Sequence, residues 1–433
     1  MKKFYTCALM LSVSALSAFA AWDGTATAWT AGDGSEANPF LIENEQQLAY
    51  LQQTVTGGET YEGKYFALAT DLDMSGKVLN PIGFHDDYMQ DNAWKEDSKP
   101  FLGTFDGCRH TIKNVTIKLA APDTDEIGGV GLFALGRKST VVKNLKLGEK
   151  VIVNGSGSPD IGGVMGISYG STIENCSFGG NIIGGSMETG GIAGAALEGS
   201  IVSGCAFVGE MTGNSSTGGI VGYTSGATIK DCMSTGDVNG SDAAYLIGGI
   251  VGCAVKSTIT SCVVMGPVLG QLGFAFMPGK SPVCADLDQS TAKDCYYVKA
   301  LTGCDPIAAQ SGVKAVTEDE LKAADMLAIL NGGASEGAWA TGANGYPVPA
   351  WTLLDPAGIE SVGAADVRAN VTVIDHTIVV SADNAAVTVF DMAGRMVFSA
   401  DVDGQVEFAP AAGGVYVVVV RTASAQSVFK LAL

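Results

Sequence analysis

Histidine is scarce in this sequence: His85, His110 and His376 are the whole supply in 433 residues. They form no HExxH pair, so the helical zinc-protease signature is missing. A Ser/His/Asp triad would have to recruit one of these three. His110, in Asp106-Gly-Cys-Arg-His110, is expected to hold a turn rather than to catalyse. Charge is sparse as well, at 16%, and it is one-sided, with 25 basic against 45 acidic residues. Removing Lys2 and Lys3 with a leader leaves a net charge near −22, from 23 basic residues against 45 acidic. A surface of that sign repels phosphate backbones and anionic lipid, so no nucleic-acid partner is expected. It suits solubility, cation binding or uncharged partners such as glycans. No apolar run after the first 21 residues is long enough for a bilayer, which takes about 20 consecutive residues, so no transmembrane segment is expected. No GxxxxGK or EF-hand pattern appears within the repeats and no CxxC accompanies the cysteines, so no metal or cofactor is expected.

What is abundant is glycine, 58 residues, beside 47% apolar residues. Glycine at that level without apolar content reads as disorder; with it, the chain can bury enough surface to offset its entropy. Many glycines and many β-branched residues point to short strands and tight turns. The first residues read as a secretory signal: Lys2 and Lys3, an apolar stretch from Ala8 to Phe19, and Ala18-Phe19-Ala20 before a cut near residue 21.

Internal repetition decides the fold class. Gly-Gly-aliphatic blocks begin at Gly128, Gly162, Gly190, Gly218 and Gly248, in steps of 34, 28, 28 and 30 residues. A second register runs through Ile112-Lys-Asn-Val115, Val142-Lys-Asn-Leu145, Ile173-Glu-Asn-Cys176, Val202-Ser-Gly-Cys205, Ile229-Lys-Asp-Cys232, Ile259-Thr-Ser-Cys262 and Ala292-Lys-Asp-Cys295. Each reads as an inward aliphatic residue, an outward residue, a corner, and a return inward. The corners are Asn114, Asn144, Asn175, Gly204, Asp231, Ser261 and Asp294, residue types that tolerate a left-handed backbone. Glycine interrupts every window and no 3.6-residue period is present, which excludes a helical repeat. The expected fold is all-β: a right-handed parallel β-helix of seven rungs across residues 101–310, with stacked residues about 4.8 Å apart.

A solenoid needs its ends covered. Residues 22–100 read as an N-terminal cap, with Asn44 and Gln47 as a capping box before Leu48 and Leu51. Phe66, Leu68, Leu72 and Met74 follow as entry strands. Residues 311–355 read as a C-terminal cap and exit, with Thr317 and Glu320 as a second capping box, a helix through Leu330, and Gly332 closing it. Residues 356–433 change character and read as a separate domain of alternating strands.

Residues 32–352 resemble the secreted bacterial GLUG-repeat proteins. The resemblance rests on Gly34-Ser-Glu-Ala-Asn-Pro-Phe40, Tyr61-Glu-Gly-Lys-Tyr-Phe66, Gly103-Thr-Phe-Asp-Gly107, the Gly-Gly-Ile-Val-Gly blocks and Gly345-Tyr-Pro-Val348. Some members are adhesins or parts of surface proteases, and the family is a weak guide to activity. Val387-Thr-Val-Phe-Asp-Met-Ala-Gly-Arg-Met-Val397, Gly414-Val-Tyr-Val-Val-Val419 and the ending near Phe429-Lys430 are similar to the C-terminal sorting domain of type IX secretion cargo, an immunoglobulin-like sandwich. That implies type IX machinery as a partner and a protein secreted from, or held on the outer-membrane surface of, a gram-negative bacterium.

Candidate chemistry is thin. The column Val115, Leu145, Cys176, Cys205, Cys232, Cys262 and Cys295 reads as an apolar core stack in which cysteine is a small filler. Cys295 and Cys304, close in sequence, are the best disulfide candidate. Asp231 and Asp294 read as corners, and Glu174 faces outward elsewhere. The insertion Phe84–Lys99 gathers Asp86, Asp87, Tyr88, Asp91 and Trp94, a set suited to stacking on sugar rings and bonding hydroxyls; Trp94 packed inward beneath a covering loop is the plainer account. The expected function is non-catalytic adhesion or binding, of an extracellular glycan or a host or surface protein. A polysaccharide lyase or hydrolase on the same scaffold, and a purely structural spacer, are the alternatives.

Overall fold

A computed structural model describes residues 22–85, 87–90, 93–119, 128–242, 244–270, 279–306, 310–334, 336–356, 370–374, 377–391, 396–410, 415–421 and 426–432. Side chains are not described at 87–90, 93–96, 370, 372–374, 383, 391, 415 and 426–432. About half the chain is strand, and most of that strand lies in a parallel β-solenoid of about eight turns.

The solenoid's largest face is built turn upon turn. Phe40–Ile42, Tyr65–Leu68, Thr104–Asp106, Val141–Leu147, Thr172–Phe178, Ile201–Ser203, Thr228–Lys230, Thr258–Thr260 and Thr291–Lys293 stack in parallel register. A second face stacks Phe133–Gly136, Met165–Tyr169, Ala193–Leu197, Val221–Ser225, Val251–Val255 and Cys284–Asp288. A third stacks Asp160–Gly162, Glu188–Gly190, Ser216–Gly218, Leu246–Gly248 and Gly279–Ser281. The aliphatic residue of each repeat points in: Val142, Ile173, Val202, Ile229 and Ile259 are all fully buried. Phe178 and Phe207 stack on consecutive turns with ring centroids 6.3 Å apart.

All seven predicted corners carry positive φ, from 51° at Ser261 to 62° at Gly204. Early corners are also bonded to one another, with Asn144 Nδ2 donating to Asp106 Oδ1 at 3.0 Å and Asn175 Nδ2 to Asn144 Oδ1 at 3.4 Å. One register differs from expectation. Val115 is buried, but it pairs with Lys77 below and Val151 above, not with Leu145. Asn114 is the corner above Asp73, to which its amide donates at 2.9 Å. The turn beneath Asn144 is Asp106–His110, where Cys108 and Arg109 take φ of 48° and 67°. The cysteine column therefore starts at Leu145, and Val115 belongs to its neighbour.

The N-terminal helix Glu45–Thr56 lays Leu48, Leu51 and Val55 into the solenoid core. Asn44 accepts from Gln47 N–H as expected, whereas the Gln47 side chain accepts from Glu43 N–H, so the box closes one residue early. At the other end the Thr317–Glu320 box is complete, opening helix Glu318–Lys322; a second helix, Ala324–Leu330, follows a break at Ala323.

The segment after the rungs does more than cap. One outward column of the large face reads Lys146, Ser177, Ala206, Met233, Val263, Tyr296 and Lys314 in register. Its four apolar members form a second core with Leu321, Met326, Leu330 and Trp339. Residues 317–355 thus run back along the outside of the rod. Trp351 Nε1 donates to the Gly204 carbonyl at 2.6 Å, Lys146 lies 6.0 Å from the Trp351 ring, and Arg109 Nε donates to Asp355 O at 2.5 Å. Beyond this clasp lies a separate antiparallel sheet of five strands, Asn370–Ile374, Thr377–Asp391, Met396–Phe408, Val415–Arg421 and Gln426–Ala432. Its own core includes Ile378, Val387, Val389 and Val418.

Candidate functional site

The third glycine of each Gly-Gly-x-x-Gly block shapes the exterior. A Cβ on Gly194 would lie 2.5 Å from Ile161 N and 2.8 Å from the Asp160 carbonyl carbon. Gly166, Gly222 and Gly252 meet the third face in the same way, against Gly129, Thr189 and Thr217. The second and third faces therefore fold against each other with backbone in close contact.

Two carboxylates from consecutive turns meet in the outer strip along this seam. Asp160 and Glu188 are register partners, so their backbones are about 4.8 Å apart. Their side chains share a hydrogen bond. Burial pushes the Asp160 carboxyl well above the usual range, and the neighbouring Glu188 charge pushes it further. Burial also raises Glu188, with the Asp160 hydrogen bond opposing it. Two carboxylates this close cannot both ionise cheaply, so the pair holds a proton to higher pH than a free carboxylate does. Above Glu188 the same position is held by Ser216 and Leu246.

The opposite wall is the column Leu135, Ile167, Ala195, Tyr223, Cys253 and Asp286. Tyr223 is half-buried there. Cys253 is pushed up to about 11, first by burial and then by Asp286, Asp288 and Glu188, which places that thiol within electrostatic reach of the pair. The strip thus offers one acid–carboxylate pair, a hydroxyl and an aromatic ring along the rod's long axis.

The insertion singled out from sequence is a hairpin, Asp87–Gln90 against Ala93–Glu96, in which Tyr88 pairs with Lys95 and Met89 with Trp94. Asp86 and Asp91 fall outside the described residues, as do the side chains of Asp87, Tyr88 and Trp94. The hairpin's root is defined: Phe84 pairs with Lys99, and His85 bridges Gly128. Gly128 also abuts Pro159, the residue before Asp160. The hairpin therefore rises beside the carboxylate end of the strip. His110 is 9% exposed and bonded through Nδ1 to Asp71 at 3.1 Å, a turn-holding role; His376 lies outside the described residues.

All nine cysteines among the described residues are free, eight of them buried and Cys304 partly so. The candidate Cys295–Cys304 bridge is not formed; the Cys295 thiol turns into the core and contacts the Ile259 and Lys293 carbonyls. Cys176, Cys205, Cys232, Cys262 and Cys295 are fully buried, and burial raises Cys205, Cys232 and Cys262 far above the ordinary thiol range. Thiolate is the reactive form, so this stack is inert while folded. An aromatic disulfide reagent at pH 8 is expected to find no more than one slow thiol, Cys304, in the native protein. In a chain beginning at residue 22, denaturation without reductant should expose nine; seven would mean that one bridge had formed.

A second hollow lies between the clasp and the rod, a cleft of about 360 Å³ lined by Met233, Thr235, Met265, Leu301, Tyr346 and Val348. Lys322 Nζ sits 4.2 Å from the Tyr346 ring, and the Tyr346 hydroxyl bonds Glu318. Among the described residues no group of three or more His, Cys, Asp and Glu side chains could hold a metal ion, and no helix is long and apolar enough to cross a membrane.

Residues 213–239, which span the turn from Gly213 through Asp237–Gly240, match the family described as the GLUG motif. The chain carries a GLUG repeat. It is also similar to Halomucin of Haloquadratum walsbyi, 29% identical over 187 residues. That stretch is 40% of this chain and 2% of the relative. The GLUG match falls in the most regular part of the solenoid, where Gly218-Gly219-Ile-Val-Gly222 and Ile229-Lys-Asp-Cys232 occur in one turn.

Proposed function

We propose that this GLUG-repeat chain is an exported, non-catalytic binding protein that holds an extended glycan along the outer strip where the second and third faces of its rod meet. The observation that carries the reading is the strip itself. It runs along the repeat axis and sets Asp160, Glu188 and Ser216 opposite Ile167, Ala195 and Tyr223. Acceptors and a donor on one wall and a ring on the other suit the hydroxyl edge and the apolar face of a sugar. Net negative charge disfavours acidic ligands, so a neutral polysaccharide fits best. By composition, Asp86, Asp87, Tyr88, Asp91 and Trp94 of the insertion would add stacking and hydroxyl-bonding groups to such a ligand. The leader at residues 1–21 and a type IX sorting domain in the C-terminal sheet, folded as an immunoglobulin-like sandwich, would take the rod to the outer surface of a gram-negative cell or beyond it.

A polysaccharide hydrolase or lyase is the second reading, and the Asp160–Glu188 pair favours it. The spacing weighs against it. Retaining glycosidases hold their carboxyl groups about 5–5.5 Å apart and inverting ones about 6.5–9.5 Å apart, whereas this pair is hydrogen-bonded. The test is retention of the full mature chain on neutral polysaccharides, with the same mixtures assayed for released sugars. Retention without release, weakened at least tenfold by Tyr223→Ala, is expected. Unchanged retention in that variant would defeat the strip as the site, and sugar release lost in Asp160→Asn would make the protein an enzyme.

A further inference from the structure

The corner column changes character where the clasp covers it. Asn144 and Asn175 are bonded into a ladder, Gly204 takes Trp351 on its carbonyl, and Asp231 is the next corner. Trp339, 1% exposed, packs in the clasp's core with Met233, two residues along the chain from Asp231. Its backbone is clamped by Asn331, which accepts from Trp339 N–H at 2.9 Å and donates to the Trp339 carbonyl at 3.0 Å. The indole nitrogen is buried without a hydrogen bond of ordinary geometry. A carboxylate has thus been placed at a left-handed corner, beside an aromatic cover, where the preceding turns use a neutral amide or glycine.

We propose that residues 317–355 form a pH-responsive clasp, which closes more tightly when Asp231 is protonated and loosens when it is ionised, uncovering Ala206, Met233, Val263 and Tyr296. Burial, to which the clasp over the neighbouring Met233 column contributes, is the leading cause that raises the Asp231 carboxyl above the usual range. Exposed Lys230 on its own strand and the Trp339 N–H both pull the other way, and neither cancels the burial. The adjacent Cys232 is a buried thiol, and the stacked corners Gly204 and Ser261 carry no charge. With the clasp open, the carboxyl returns to water and to its ordinary range. Closure is therefore favoured fully below about pH 4, and the advantage is lost as pH rises through the raised value of the closed state. The apolar column is a conditional surface: covered in acid, more often open at neutral pH.

Hydrogen exchange of the full mature chain between pH 4.5 and 7.5 tests this, corrected for intrinsic exchange and with strand Val221–Ser225 as the internal reference. Protection of the 317–355 backbone is expected to fall several-fold across that range relative to the reference strand. In Asp231→Asn the slope should vanish, with the clasp closed throughout. Asparagine already holds the Asn144 and Asn175 corners at the same φ, so this variant should fold. A flat wild-type profile, a slope of opposite sign, or a slope that survives in Asp231→Asn would each overturn the proposal.

Discussion

Gly194→Val is expected to cost about 3 kcal/mol or more in the stability of the central turns, or to prevent their assembly. A Cβ there meets Ile161 N, the Asp160 carbonyl carbon and Gly166 O, all within 2.8 Å and all backbone. No rotamer change relieves such a contact; two faces of the solenoid would have to separate. Gly199→Ala is the control, because Gly199 has φ of 85° but nothing within 4 Å of its Cβ position. That change carries only left-handed strain, about 1–2 kcal/mol. Thermal or urea midpoints should therefore rank wild type, Gly199→Ala and Gly194→Val in that order. Equal midpoints for the two variants would show that the faces do not need their close approach. Because the clash lies on Asp160, Gly194→Val should also disturb the carboxylate pair and any binding that depends on it.

The glycine result bears on what could be read before the structure. The corners were legible because a left-handed residue restricts its type: Asn, Asp, Gly and Ser recur there, and all seven have positive φ. The stacking of those corners was only partly legible. Ile112–Val115 repeats the local pattern at the right interval, yet it rests on Leu72 and Lys77 and lies under Val151. Local sequence encodes a bend, and the extra bend at Cys108–Arg109 decides which bend lies above which.

Asp160 and Glu188 were missed for a related reason. They lie 28 residues apart, outside the cysteine register, and no motif joins them. The available signal was position: each stands two residues before a Gly-Gly pair, at Asp160-Ile-Gly162 and Glu188-Thr-Gly190. Equivalent positions in a solenoid are neighbours in space, so two acids there must meet. The clasp had its own trace in the sequence. Outward residues beside the inward column change from Lys146 and Ser177 to Ala206, Met233, Val263 and Tyr296. Four apolar side chains in register on an outer face require a cover, and Trp339 to Trp351 supplies it.

Trp351→Ala should release that cover while sparing the rod. Truncating a buried tryptophan costs about 3–5 kcal/mol, and here the ring is 7% exposed and its N–H is bonded to Gly204 O. The loss falls on a segment held to the rod by few other large contacts, chiefly Trp339, Leu321 and Leu330. Local opening needs less free energy than unfolding eight turns of solenoid, so the clasp should open first. Proteolysis is expected to cut within 317–355 at least tenfold faster than in wild type, while the thermal midpoint of the rod moves by only a few degrees. Cleavage at the wild-type rate would mean that Trp351 is not the anchor. A collapse of the rod's midpoint would mean that clasp and solenoid unfold as one unit, and that the apolar column on the outside is part of the main core.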